Sequence, residues 1–191
     1  MAELLAHAQP LLPAEPVSTF DADGRVLAQD VVSALQVPAV DNSSMDGYAV
    51  RCADVPAAGV VLPVSQRIAA GMDGAPLQPG TAARIFTGAP VPAGADAIVM
   101  QEDCVAVDGG AVRINAVPPT GQWIRRAGED VRLGASVLQA GMRLTPGALG
   151  LAASVGMHQL QVARRPRVAL FSTGDELVMP GDVAPQDMRP G

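Results

Sequence analysis

The chain has 191 residues, enough for one or two domains with a buried core. Its net charge is -6 and none of its thirteen basic residues is lysine, so it lacks the basic face that nucleic-acid binding requires, although its arginines could still form a local anion site. No apolar run approaches the roughly 18 residues of a membrane span, and the first ten residues lack the basic start of a signal peptide. We therefore expect a cytoplasmic protein without a nucleic-acid or membrane partner.

The N-terminal part combines a helical pattern with extended segments. Residues 1–13 show a short apolar helical pattern that the prolines at its end stop, and a helix this short must dock on another part of the molecule. Residues 17–20 predict a brief extended piece. Residues 25–32 alternate well enough for a strand.

The middle of the chain, from Tyr48 to about Val117, contains no convincing helical pattern. Short strands are predicted there, separated by turns rich in glycine, proline and aspartate, at residues 60–68, 82–86, 97–101, 105–107 and 111–114. Regularly spaced short strands of this kind are typical of a small β-barrel or sandwich.

The next segment predicts strands on either side of one helix. Residues 136–144 indicate a strand pair or a bent strand. Thr145 and the following proline are typical of a helix start, residues 147–155 continue it, and Gly156 stands where a helix commonly ends. Residues 160–163 are a further possible strand.

Residues 168–172 form a continuous apolar run that predicts a buried parallel strand. The polar residues 173–176 follow it, at the strand end where α/β sheets hold ligands. Because one strand cannot make such a sheet, the sequence predicts that a new domain begins here and is cut off.

Four polar clusters could carry chemistry. Each alone is also typical of an ordinary turn or hinge. Together they are complementary, since arginines suit an oxyanion and carboxylates suit a divalent cation or an activated water. The clusters are Asp41 to Gly47, Thr87-Gly88, Arg125 to Asp130, and Thr173 to Glu176. Cys52 and Cys104 match neither a disulfide framework nor a zinc spacing, and we interpret them as small reduced hydrophobic residues.

The segment Val37 to Val50 resembles the signature of the MoeA family of molybdopterin molybdenumtransferases, which are related to the E domain of gephyrin. Three further segments resemble the family in the same order along the chain. They are Arg84 to Pro92, Ile124 to Asp130, and Ala169 to Leu177. The resemblance extends from about Gly24 to Leu177 and corresponds to the N-terminal half of a family member.

The resemblance, with the predicted elements, implies a mainly β, α+β fold. An N-terminal helix (1–13) would precede an extended mixed domain made of two separate segments (14–40 and 125–165). This extended linker domain would carry an inserted small β-barrel domain (41–124). Residues 166–191 would start an α/β molybdopterin-binding domain with its first strand, and the remainder of that domain and a fourth domain would be missing.

The resemblance also implies an activity, namely insertion of molybdate into adenylylated molybdopterin with Mg²⁺-dependent release of AMP. Family members are homodimers whose cleft lies between domains of two subunits, and contact with the molybdopterin adenylyltransferase is a further expectation. The implied catalytic residues are Asp46, Asp130 and Glu176, of which Asp46 and Asp130 would also bind the metal. The implied residues for substrate or anion binding are Thr87, Arg125, Ser43 and Gly88.

Two functions fit these expectations. The first is a molybdenumtransferase represented here by its N-terminal half. The second is a non-catalytic truncated module that keeps the fold and serves as a scaffold or dimerisation unit. Because half of the composite cleft would be missing, we expect the chain alone not to insert molybdenum at a useful rate. A downstream reading frame encoding the remainder of the third domain would favour the enzyme.

Overall fold

The computed structural model of the protein describes residues 13–174. The helix predicted over residues 1–13 falls, apart from Pro13, outside the described residues. The predicted site residue Glu176 also lies outside them.

The described part of the chain is mainly β-structure with one α-helix, α1 (Pro146–Ser154). Three short 3-10 helices lie at Thr19–Asp21, Cys52–Asp54 and Gln101–Asp103. The strands are β1 (Ala14–Ser18), β2 (Val31–Val32), β3 (Asn42–Ser43), β4 (Gly47–Val50), β5 (Val60–Ile68), β6 (Ala82–Ile85), β7 (Ala97–Met100), β8 (Cys104–Val107), β9 (Ala111–Ile114), β10 (Ile124–Arg125), β11 (Ser136–Leu138) and β12 (Gln159–Ala163). None of the helices in the described range is long and apolar enough to cross a membrane.

Six strands form one sheet in the order β7-β4-β6-β5-β9-β8. All neighbouring pairs are antiparallel except β5 and β6, which run parallel. The strands predicted in the middle of the chain are confirmed, with small differences at their ends. Within residues 13–174 no ladder joins the two outer strands β7 and β8, so closure of this sheet into a barrel stays a prediction.

The centre of this sheet is apolar on both faces. On one face Val50 and Val99 belong to a buried cluster with residues of β5, β6 and β9. On the other face Ala49, Ile85 and Ile98 belong to a second buried cluster. Two buried faces explain why β7 reads as a continuous apolar run and not as an alternating one.

A separate hydrophobic core is built from two distant parts of the sequence. Its buried residues come from residues 22–31 on one side and residues 138–162 on the other. Strand β1 pairs with β12, and β2 pairs with β11, so both pairs join the start of the chain to its later part. The six-stranded sheet is formed by the residues between these segments, while the predicted domain boundaries themselves stay a prediction.

The helix predicted from Thr145 is confirmed. The hydroxyl oxygen of Thr145 accepts a hydrogen bond from the backbone N–H of Ala148 at 3.3 Å, and Pro146 occupies the first turn. Gly156 follows the helix with a positive φ of 83°, a conformation that glycine adopts without a steric penalty.

Two predicted strands are shorter than the sequence pattern indicated. Residues 25–32 contain only the two-residue strand β2, because Val26 and Leu27 form isolated bridges to different partners, Arg143 and Val162. Of residues 136–144, only Ser136–Leu138 is a strand. An alternating pattern indicates that one face of a segment is buried. It does not show whether a single neighbouring strand pairs with the whole segment.

The buried parallel strand predicted at residues 168–172 is wrong for this structure. Residues 164–174 have no regular secondary structure, and Val168, Leu170 and Phe171 are 81%, 94% and 81% exposed. A strand requires a hydrogen-bonding neighbour and an apolar cover, and no strand within the described range lies beside this segment.

Candidate functional site

The loop Asp41 to Gly47 is fixed at both ends by strands. Near its start, β3 pairs with β10, which places Asn42 opposite Arg125 and Ser43 opposite Ile124. At its other end, Gly47 begins β4 between β6 and β7. Three of the four polar clusters found in the sequence are therefore neighbours in the structure, although up to about 90 residues separate them along the chain.

Ser43 and Gly88 hold the loop together. The hydroxyl of Ser43 is buried, donates to the carbonyl of Met45 at 2.6 Å and accepts from its N–H at 3.3 Å. The backbone N–H of Gly88 donates to the carbonyl of Ser43 at 2.8 Å, and the N–H of Ser43 donates to the carbonyl of Ala89 at 3.0 Å. These groups fix the relative positions of the two segments, and direct anion binding by Ser43 or Gly88 stays a prediction.

Asp46 and Thr87 form the central polar pair. One oxygen, Oδ1 of Asp46, accepts both the backbone N–H of Thr87 at 2.8 Å and its hydroxyl at 2.7 Å. These two bonds, together with the nearby Arg84 guanidinium, lower the pKa of the Asp46 carboxyl. No described residue donates a hydrogen bond to the second oxygen, Oδ2, which therefore remains available to a metal or a substrate.

Arg125 and Asp130 form an exposed ion pair in the third cluster. Both carboxylate oxygens of Asp130 lie 2.6 Å from the same nitrogen, Nη2 of Arg125. Hydrogen bonding and the charge of Asp130 raise the pKa of Arg125. No hydrogen bond from Nε or Nη1 of Arg125 is found among residues 13–174, so the guanidinium keeps donors for an anion.

The predicted metal ligands fit Mg²⁺ unequally. Mg²⁺ commonly uses one or two carboxylates and completes its coordination with water and substrate phosphates. Asp46 offers one oxygen for this purpose, whereas both oxygens of Asp130 already contact Arg125. The described residues contain no group of three or more His, Cys, Asp or Glu side chains that could hold a metal ion by themselves.

A second ion pair, between Asp41 and Arg126, joins the start of the loop that carries Asp46 to the third cluster. This contact was not predicted. Oδ2 of Asp41 accepts from Nη1 of Arg126 at 2.6 Å, and Oδ1 accepts from the backbone N–H of Ala127 at 2.8 Å. The Ala127 bond and then Arg126 lower the pKa of Asp41. The only signal for this contact in the sequence was that the two motifs carry opposite charges. Sequence alone does not show that the motifs lie side by side in the fold.

Trp123 lies between the sheet and the arginine cluster in an unusual conformation. Its φ is 54°, the left-handed region that bulky residues rarely adopt, and its carbonyl accepts from the N–H of Ser44 at 2.9 Å. The residue is 37% exposed.

In the fourth cluster, Thr173 and Gly174 are exposed and form no hydrogen bond with the other three clusters, while residues 175 and 176 lie outside the described range.

The amide proton of Thr87 should report the charge of Asp46. Because hydrogen bonding places the pKa of Asp46 below its ordinary value of 3.8, the stabilisation from these bonds is fully present above pH 3.8. It should be lost as the pH falls through the lower, folded-state pKa. In an NMR titration the Thr87 amide shift should therefore change with a midpoint below pH 3.8. Asp46→Asn should abolish the transition, and a midpoint above 3.8 would contradict the assignment.

Comparison with known proteins shows which family the chain belongs to. The family model for the MoeA N-terminal region (domain I and II) matches residues 1–156, more than three quarters of the chain. The chain belongs to the MoeA family.

Individual MoeA relatives agree with this assignment. The chain is 48% identical to molybdopterin molybdenumtransferase 2 of Mycobacterium tuberculosis (strain ATCC 25618 / H37Rv) over 190 residues, 95% of this chain and 45% of that protein. It is 46% identical to the molybdopterin molybdenumtransferase of Synechococcus elongatus over 183 residues, 92% of this chain and 45% of that protein. Both relatives are named as molybdopterin molybdenumtransferases.

Solved MoeA structures resemble the fold closely. Two crystal structures of the molybdopterin biosynthesis MoeA protein from Pyrococcus horikoshii superpose with TM-scores of 0.84 and 0.82 at 34% and 32% identity. They cover 95% and 88% of this chain, which in turn covers 47% and 46% of theirs. The chain spans about half the length of the curated relatives that it matches.

Proposed function

We propose that this chain forms one wall of the active-site cleft of a molybdopterin molybdenumtransferase. The enzyme would insert molybdate into adenylylated molybdopterin, and a water molecule would add across the phosphoanhydride bond of that substrate, so that AMP and the molybdopterin phosphate separate. The observation that carries the proposal is the hydrogen-bonded assembly of three family motifs, in which Asp46 binds Thr87, Asp41 binds Arg126, and Arg125 pairs with Asp130.

The available donors and acceptors suit these substrates. Arg125 retains Nε and Nη1 for an oxyanion such as molybdate or a phosphate, while Asp130 orients its guanidinium through Nη2. Thr87 is oriented by Asp46, and Oδ2 of Asp46 faces no described donor. When bound, Mg²⁺ would neutralise phosphate charge as AMP leaves. Asp46 is the residue best suited to hold it, whereas Asp130 would first have to release Arg125.

The broader setting follows the family and is part of the proposal. The cleft would be completed by Glu176 and by residues of a partner subunit in a homodimer. The protein would act in the cytoplasm and could receive its substrate by contact with a molybdopterin adenylyltransferase. The alternative function is a non-catalytic scaffold or dimerisation module of the same family.

An assay with adenylylated molybdopterin, molybdate and Mg²⁺ tests the proposal. A protein that joins this chain to the remaining family domains should release AMP in step with the appearance of active molybdenum cofactor. The 191-residue chain alone should release none above background. Turnover by the short chain would contradict the composite cleft, and an inactive complete protein would favour the scaffold.

A further inference from the structure

Two arginines and two aromatic rings form a contiguous group on the six-stranded sheet. We call Tyr48, Arg67, Arg84 and Phe86 the arginine–aromatic stack. The guanidinium carbons of Arg67 and Arg84 lie 4.4 Å and 4.6 Å from the centre of the Phe86 ring, and that of Arg84 lies 5.2 Å from the Tyr48 ring. These distances lie within the range of cation–π attraction.

The strand register places this stack beside the loop of Asp46. Arg84 on β6 is opposite Tyr48 on β4 and opposite Arg67 on β5, so the three side chains share one face of the sheet. Phe86 comes two residues after Arg84 and immediately precedes Thr87. The charge of Arg84 reaches Asp46, where it contributes to the lowered pKa of that carboxyl.

The positive charge of the stack has no carboxylate partner among residues 13–174. Arg84 donates to two neutral oxygens, the carbonyl of Gly47 at 2.9 Å and Oε1 of Gln101 at 2.7 Å. Arg67 is exposed and makes no hydrogen bond or ion pair with a described residue. Each guanidinium is within 4.6 Å of the same ring centre, so the two charges repel each other at no more than twice that distance.

Two guanidinium groups that contact the same ring offer N–H donors to an anion bound beside that ring. The ring of Phe86 restricts both groups, which reduces the entropy lost when they bind a ligand. Arg84 is held further by Gly47 and Gln101, whereas no residue among 13–174 accepts a hydrogen bond from the five N–H donors of Arg67.

We propose that Arg67 and Arg84 bind a tetrahedral oxyanion of the phosphate class, and that this anion is the phosphoryl group of the nucleotide portion of the substrate. The second half of this inference rests on the proposed function, since it assumes a nucleotide-bearing substrate at the neighbouring Asp46 and Thr87. The first half stands on the stack alone. Inorganic phosphate and molybdate share the same tetrahedral chemistry and are separate arms of the test.

Arg113 supplies a matched control for Arg67. Both residues are exposed arginines on the same sheet, and Arg113 pairs with Val61, six residues before Arg67 on β5. Arg67→Gln and Arg113→Gln therefore change the net charge equally, one near the end of β5 and the other on β9 beside the start of β5. Both positions are exposed, so both variants should keep the fold of the parent chain.

The experiment is a titration of the 191-residue chain with AMP, inorganic phosphate and molybdate at constant ionic strength, followed by the NMR signals of the arginine side chains. AMP should shift the signals of Arg67 and Arg84. Arg67→Gln should weaken AMP binding about tenfold, the loss expected for one charged hydrogen-bonding group, while Arg113→Gln should leave it unchanged.

The arms separate the possible outcomes. Tighter binding of AMP than of phosphate or molybdate supports the nucleotide assignment, while equal binding of all three supports the anion site and overturns its nucleotide identity. No shift at Arg67 with any ligand, or equal weakening by both variants, overturns the site. Because the titration requires no turnover, failure of the molybdenum-insertion assay does not change its result.

Discussion

Replacing Gly47 with alanine should unfold the six-stranded sheet or destabilise it by more than about 3 kcal/mol. A Cβ atom at this position would overlap the carbonyl oxygen of Val99 and come within 2.9 Å of its carbonyl carbon. Relief would require β7 to move away from β4, which breaks the ladder that pairs Gly47 with Met100. Chemical denaturation of the purified chain, followed by far-UV circular dichroism, measures the loss.

Gly150 provides the control for this substitution. It lies exposed within helix α1, and an added Cβ would meet no atom within 4 Å. Gly150→Ala should therefore stabilise the chain by about 0.5–1 kcal/mol through its better helix propensity. If Gly47→Ala unfolds at the same denaturant concentration as the parent chain, the close approach of β4 and β7 is not rigid.

Asp46→Ala should reduce molybdenum insertion by at least about 100-fold in a protein that carries the complete cleft, the scale expected for a positioned catalytic group. The substitution removes the acceptor for Thr87 and the oxygen best placed for Mg²⁺. Because Asp46 lies on a loop outside the hydrophobic clusters, its removal should lower the melting temperature by no more than about 4 °C.

Asp46→Asn separates the two tasks of this residue. The amide oxygen can still accept from Thr87, but the negative charge is lost. Activity as low as that of Asp46→Ala, with the parental melting temperature, would indicate that the charge is required. A variant that melts many degrees lower and loses activity in proportion would show that Asp46 is mainly structural.

Local signals in the sequence predicted the local elements well. Thr145, Pro146 and Gly156 mark the ends of helix α1 through chemistry contained within a few residues. The strands of the central sheet follow from the same kind of local pattern. The prediction failed at residues 168–172, because an apolar run is buried only where other strands and side chains of the folded protein cover it, and a local pattern does not show whether they do.

The candidate site shows the same limit. The family resemblance identified Asp46, Thr87, Arg125 and Asp130 by position, and the structure pairs the first with the second and the third with the fourth. Sequence alone did not show that Asp41 would meet Arg126, beyond the opposite charges of their motifs, or that Arg67 would stack on Phe86. Those contacts arise from strand pairing between distant segments, which only the folded arrangement defines.

Trp123 also makes the candidate site observable without a label. It is the single tryptophan of the chain, and its carbonyl is bonded to the loop that carries Asp46, next to the strand of Arg125. The single tyrosine, Tyr48, contacts Arg84 on the same sheet. Almost all of the near-ultraviolet emission of this protein thus originates within a few residues of the site, and binding there can be followed by intrinsic fluorescence in the natural sequence.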